Sequence, residues 1–179
     1  MLLDLAHAKT QLDIVTDAYD EALTLYIEGL TDPVERLIGA VLPRTVTERT
    51  RAAGDVLCLG TIPVRSVTVL APAHGGTGIE VASLDVEQAT GIVRSLDGRS
   101  LAGTWQVTYE AGRGPQVPPT IRLAALMLLQ HLWRTRNGGG RGARADDFDT
   151  SEPIPGFGYA IPNRVLQLLE PYRLPPAVA

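Results

Sequence analysis

The residues of this chain with a capacity for chemistry are three histidines, one cysteine, scattered serines, a run of acids and a run of arginines. A zinc site needs histidines or cysteines at a spacing such as HxxxH or CxxC, and none surrounds His7, His74 or His131. His131 falls near the end of an apolar run, where an imidazole beside the last helical carbonyls suits the helix dipole. An activated serine wants a sharp elbow such as GxSxG, which Ser66, Ser83, Ser95, Ser100 and Ser151 all lack. Phosphate cradles are glycine loops that open a helix. Here Gly75-Gly76-Thr77-Gly78 runs into a strand, and Gly112-Arg113-Gly114 leads to prolines without the lysine and hydroxyl of a nucleotide loop. Asp146, Asp147, Asp149 and Glu152 lack the pattern and glycine of a calcium loop and read as a solvated polar segment. Arg134, Arg136, Arg141 and Arg144, interleaved with glycines, form the one concentrated basic segment. Such a segment can track phosphates or meet an acidic partner. Without interleaved aromatics, and with acids directly after it, it reads rather as protein-facing or solvated. No catalytic residue, metal or cofactor is expected.

The overall charge points the same way. A formal net charge of −4 and a pI near 5.3 argue against a protein whose main task is electrostatic grip on nucleic acid. The 179 residues fit one domain with a core of its own. Cys58, inside the apolar run Val56-Leu57-Cys58-Leu59, is expected to be a small buried hydrophobe. The opening MLLDLAHAKTQLD carries Asp4 within its apolar part and neither a basic leader nor a small-residue cleavage site, so cytoplasmic synthesis is expected.

The elements that must position these residues begin with helices. Leu2, Leu3, Leu5, Ala6, Ala8 and Leu12 suggest a short amphipathic helix. A second follows over 17–30, with Ala18, Ala22, Leu25 and Gly29 as its stripe and Tyr19, Leu23, Tyr26, Ile27 and Leu30 widening it. Thr31-Asp32-Pro33 starts a third, and Pro43 stops it. At Thr45 the period changes to two. Residues 45–50, 56–59, 62–70, 79–82, 91–96 and 104–109 read as short strands parted by glycine and aspartate turns, a small antiparallel sheet inserted between helical parts. Pro118 and Pro119 then open the chain's main helix, since a first turn has no use for their missing N–H groups. From Ile121 to Trp133 only Arg122, Gln130 and His131 interrupt the apolar run, so cover on most of the circumference is expected, although the run is too short to cross a bilayer. Arg134 and Arg136 suit its last turn, and Asn137-Gly138 its stop. An irregular segment over 137–158 follows, a leading candidate for interaction. Last comes a short helix over 161–173, begun by Pro162 and halted by Pro171, whose Val165, Leu166, Leu168 and Leu169 need a surface to lie on.

The order of these features carries a resemblance. N-terminal helices, an inserted sheet, Tyr-x-Ala-Gly at 109–112, a Pro-Pro helix start, a long apolar helix ending in Trp-Arg-x-Arg, a glycine-rich loop and a final Ile-Pro-x-Arg-Val-Leu-x-Leu-Leu-x-Pro-Tyr-Arg follow one another. This order resembles the head-tail connector, or head-completion adaptor, family of long-tailed bacteriophages, in the version found in phages of actinobacteria. The inserted sheet is larger than in the minimal all-helical members. The resemblance implies a non-enzymatic structural protein of the virion neck, with copies forming a ring of about twelve beneath the portal. That ring would extend the DNA channel, let genomic DNA pass without reading its sequence, and offer the next neck or head-closure protein its docking surface. By the same likeness Leu123, Leu126, Met127, Gln130 and Trp133 would pack within and between subunits. Ile161, Arg164, Leu168, Tyr172 and Arg173 would reach a neighbour or the portal. Arg134, Arg136, Arg141 and Arg144 complete the expected interface.

The expectation is therefore an α+β protein, a helical bundle with an inserted small antiparallel β-sheet, a long central helix and a C-terminal extension. It is taken as one adaptor domain over 1–179, divided into N-terminal helices (1–44), β region (45–111), central helix (112–137) and loop with docking segment (138–179). The alternative function is a DNA-binding or DNA-packaging accessory module using 134–144, and no membrane partner is expected.

Overall fold

The computed structural model describes residues 1–137 and 161–175. The chain divides into two compact units, one of Met1–Ile38 with Val117–Arg173, the other of Gly39–Gln116 with Leu174–Ala179. The units change over near residues 38 and 116, whereas the sequence pattern changes near 44 and 111.

In the first unit, α1 (Leu5–Gln11) begins at Asp4, whose carboxylate accepts the His7 backbone N–H at 2.7 Å, a side-chain N-cap. Lys9 on its last turn donates to Asp17 and Asp20 at 2.7 and 2.8 Å, tying α1 to the start of α2 (Asp20–Gly29). Leu23, Ile27 and Leu30 are buried at i, i+4, i+7. The other stripe, expected to face the core, does not: Leu25 is 69% exposed, and Ala18 and Gly29 are exposed too. A helix this apolar has two candidate faces, and the elements packed on it, α1 and α3 (Thr31–Ile38) among them, leave this one uncovered. In α3, Pro33 sits in the first turn and Val34 and Ile38 are buried.

The 19-residue α4 (Pro119–Asn137) starts on the second of the two prolines. Ile121, Ala124, Ala125, Leu128 and Leu129 are fully buried, the i, i+3, i+4, i+7, i+8 pattern of one broad face. Cover extends over most of its circumference: from Ile121 to Trp133 only Arg122 and Leu123, the latter at 48%, are exposed, while Leu126, Met127 and Leu132 are half-buried. Against α4 packs α5 (Asn163–Leu169), with Pro162 at its N-cap, and Ile161, Val165 and Leu169 are buried. Pro171 ends α5 in a single 3-10 turn, Glu170–Tyr172.

The second unit holds not one small sheet but two, each of three antiparallel strands: β1 (Arg44–Arg51), β6 (Thr104–Ala111) and β3 (Val64–Pro72) in the first, β2 (Val56–Cys58), β5 (Ile92–Ser95) and β4 (Leu84–Glu87) in the second. On the central β6, Trp105, Val107, Tyr109 and Ala111 point inward and Gln106 and Glu110 outward, period two as a half-buried strand requires. These residues join Leu57, Leu59, Val67, Leu70, Val93 and Leu101 in one core. The expected strand at 79–82 is a single bridge, Ile79 to Leu70, followed by a 3-10 turn over Val81–Ser83. The true strand there is β4, whose alternation Leu84-Asp85-Val86-Glu87 was present in the sequence but short. Cys58 is exposed rather than buried, because Leu57 faces the core and the next residue on a strand points away.

The Tyr-x-Ala-Gly stretch has a structural reason. The buried Tyr109 hydroxyl accepts the Thr61 N–H at 3.0 Å, and Glu48 accepts the Gly60 N–H at 2.8 Å, which together hold the chain ahead of β3. Three residues on, Gly112 has φ +117, and a Cβ there would lie 2.6 Å from the Leu42 carbonyl oxygen, so only glycine fits.

Candidate interaction surface

Among the described residues no group of three histidine, cysteine or carboxylate side chains could hold a metal, and no helix is long and apolar enough to cross a membrane. What the first unit presents is surface. Along α4, Leu123, Met127, Gln130 and Arg134 recur at i, i+4, i+7, i+11 and share the face opposite the buried one. Leu123 and Arg134 are exposed, while Met127 and Gln130 are half-buried, Gln130 accepting from the Gln11 amide at 3.3 Å. Leu126 lies beside this face, half-buried.

Trp133 is held by two tyrosines. Its ring meets Tyr19 edge-on at 5.6 Å between centroids and Tyr26 at 5.8 Å, the T-shaped geometry in which a positive ring edge meets a negative ring face. Trp133 and Tyr26 are half-buried and Tyr19 is 50% exposed, so the cluster closes the end of α4 while remaining part of the surface. The tyrosines were read in sequence only as widening a stripe; their spacing of seven, two helical turns, was the available signal. Two positions before Trp133, burial lowers the His131 pKa and favours its neutral ring, the hydrogen-bonding rather than the cationic form of the imidazole expected near the helix end.

The other expected interface residues are distributed differently. Arg164 and Arg173 are exposed, Arg173 pairing with Glu170 at 3.4 Å, and Leu168 and Tyr172 are half-buried. Ile161 is fully buried within its own unit and so anchors the segment. Arg136 falls in the last turn of α4. Arg141, Arg144 and the acids at 146–152 lie outside the described residues.

Sequence reading missed the exposed side of α2. Ala18, Glu21, Ala22, Thr24, Leu25, Tyr26 and Glu28 line an open groove of about 610 Å³. Apolar spacing had marked the stripe, and only the packing shows that it faces outward.

The fold is similar to that of chains in known assemblies. The chain is 22% identical to a chain from the neck of an empty gene transfer agent particle, computed with C6 symmetry, at a TM-score of 0.69, with 99% of this chain and 92% of that one covered. A chain from the neck of the native particle, computed with C12 symmetry, matches at 22% identity and a TM-score of 0.65, with 98% and 90% covered. A chain from the virion of the native particle matches at 20% identity and a TM-score of 0.60, with 99% and 92% covered. At these identities the likeness establishes the fold. No curated protein matches the chain. The family model described as head completion protein matches residues 1–174, and the chain therefore belongs to the head completion protein family.

Proposed function

We propose that this protein is a structural, non-enzymatic adaptor of the head-tail neck. Copies form a ring, of about twelve, below the portal, extend the DNA channel and provide the docking surface for the next neck or head-closure protein. The observation that carries this reading is the family match over residues 1–174. The fold likeness to neck chains whose particles were computed with C6 and C12 symmetry supports it. A helical bundle organised around α4, with Leu25 and Leu123 left exposed after its own core is filled, suits a subunit that completes its burial against neighbours. On this reading Leu123, Leu126, Met127, Gln130, Trp133 and Arg134 serve contacts between copies, and Arg164, Leu168, Tyr172 and Arg173 serve the portal or a neighbour. Arg136, Arg141 and Arg144 extend that surface. The two compact units act as one adaptor, made in the cytoplasm and incorporated in the virion.

Native mass spectrometry of the full chain, alone and mixed with the portal protein of its own particle, tests this. A multi-copy ring on the portal is the expected result. Absence of any complex, with tight and salt-sensitive binding of duplex DNA in the same sample, would transfer the assignment to a DNA-binding accessory module.

A further inference from the structure

Charge is divided between the two helices that carry uncovered apolar positions. α2 (DEALTLYIEG) holds Asp20, Glu21 and Glu28 and no cation; α4 (PTIRLAALMLLQHLWRTRN) holds Arg122, Arg134 and Arg136 and no acid. Asp20 is engaged by Lys9. Glu21, Glu28, Arg122 and Arg134 are all exposed, and among the described residues none of the four has an ion-pair partner. Each set of charges accompanies an exposed leucine, Leu25 at 69% on α2 and Leu123 at 48% on α4. Ala18 and Ala22 line the groove beside Leu25, and a Cβ added at Gly29 would meet nothing within 4 Å, so a second helix can approach this side of α2 closely.

We propose that the α2 groove of one copy receives the exposed α4 surface of the next, Leu123 entering beside Leu25 while its neighbour Arg122 meets the Glu21 and Glu28 carboxylates on either side of Leu25. This rests on the ring reading above and specifies its contact. The occupant is a second copy because both complementary halves are present on this chain. Pairing α2 with α2 across a two-fold axis would set carboxylate against carboxylate, and pairing α4 with α4 would set arginine against arginine. A contact between two different faces is head-to-tail, and a head-to-tail contact closes into a ring when its rotation allows.

The test uses two charge-reversed versions of the full chain, Glu21→Lys with Glu28→Lys, and Arg122→Glu. All three positions are exposed, and circular dichroism checks that both versions fold. Native mass spectrometry is run on each version and on their equimolar mixture, alone and with the portal protein. The expected result is at least a tenfold loss of rings for either version and recovery in the mixture, with the versions alternating, since every contact then again joins opposite charges. Rings of undiminished yield from either version alone would overturn this contact and leave the ring reading standing. Loss in both without recovery on mixing would also overturn it, because the two faces would then not meet each other. A wild-type chain that forms no ring, alone or on the portal, would remove the ring reading and this contact with it.

Discussion

At the scale of single residues, Tyr109 and Trp133 carry the most structural consequence. Tyr109→Phe keeps the buried ring but orphans the Thr61 N–H, at a cost of about 1–3 kcal/mol, read as a lower denaturant midpoint. Burial, the largest cause, raises the phenol pKa above its ordinary 10.0, so the folded state favours the neutral form. That contribution is fully present below pH 10.0 and is lost as pH rises through the folded value. The wild type should therefore lose more stability than Tyr109→Phe when the pH is raised past 10.0, and parallel pH profiles would show that Tyr109 is not the group responsible. Trp133→Ala should cost about 2–3 kcal/mol, less than the 3–5 of a fully buried tryptophan, because the ring is only partly buried; its two edge-on tyrosine contacts are among what it loses. A thermal midpoint unchanged from wild type would mean the aromatic cluster does not hold the end of α4. Both residues stood out in the sequence as large aromatics within patterned runs. Their partners, Thr61 and the two tyrosines, did not, because the partners come from other elements.

At the scale of elements, α1 and α4 make separable statements. Asp4 caps α1, and its pKa is lowered first by the His7 backbone N–H and then by the His7 side chain. Its stabilising contribution is present above 3.8 and lost as pH falls through the folded value. Asp4→Ala should thus melt below wild type at neutral pH, with the gap narrowing under acid; a gap independent of pH would point to a cause other than the cap. On α4, Leu128→Ala removes a fully buried side chain and should cost about 2–5 kcal/mol. Leu123→Ser, on the opposite face, should change stability by no more than about 0.5 kcal/mol while weakening ring formation. A large loss of monomer stability in Leu123→Ser would place that leucine in the core. The helix itself was legible from its prolines and its apolar run. Which leucines faced inward was not, because an almost wholly apolar run has no contrast from which to read a buried face.

At the scale of the whole molecule, the first unit joins Met1–Ile38 to Val117–Arg173, and the second joins Gly39–Gln116 to Leu174–Ala179. Deleting 161–179 takes Ile161, Val165 and Leu169 from the first unit, so hydrogen exchange should show lost amide protection in α2 and α4 while β6 stays protected. Retained protection in α4 would mean that α5 adds nothing to that unit's stability. The sequence by itself determined the α+β class, the N-terminal helices, the change of period at the first strand, the proline-started α4 and the order of features shared with the head completion family. These are local properties: propensity, capping and alternation act over a few residues and leave their record there. Only the tertiary structure decided that the strands form two sheets, that Cys58 faces outward, and that α2 buries Leu23 and Ile27 while exposing Leu25. Burial depends on which surface arrives opposite, and here that surface comes from far along the chain, as the Gln11–Gln130 bond across 119 positions shows.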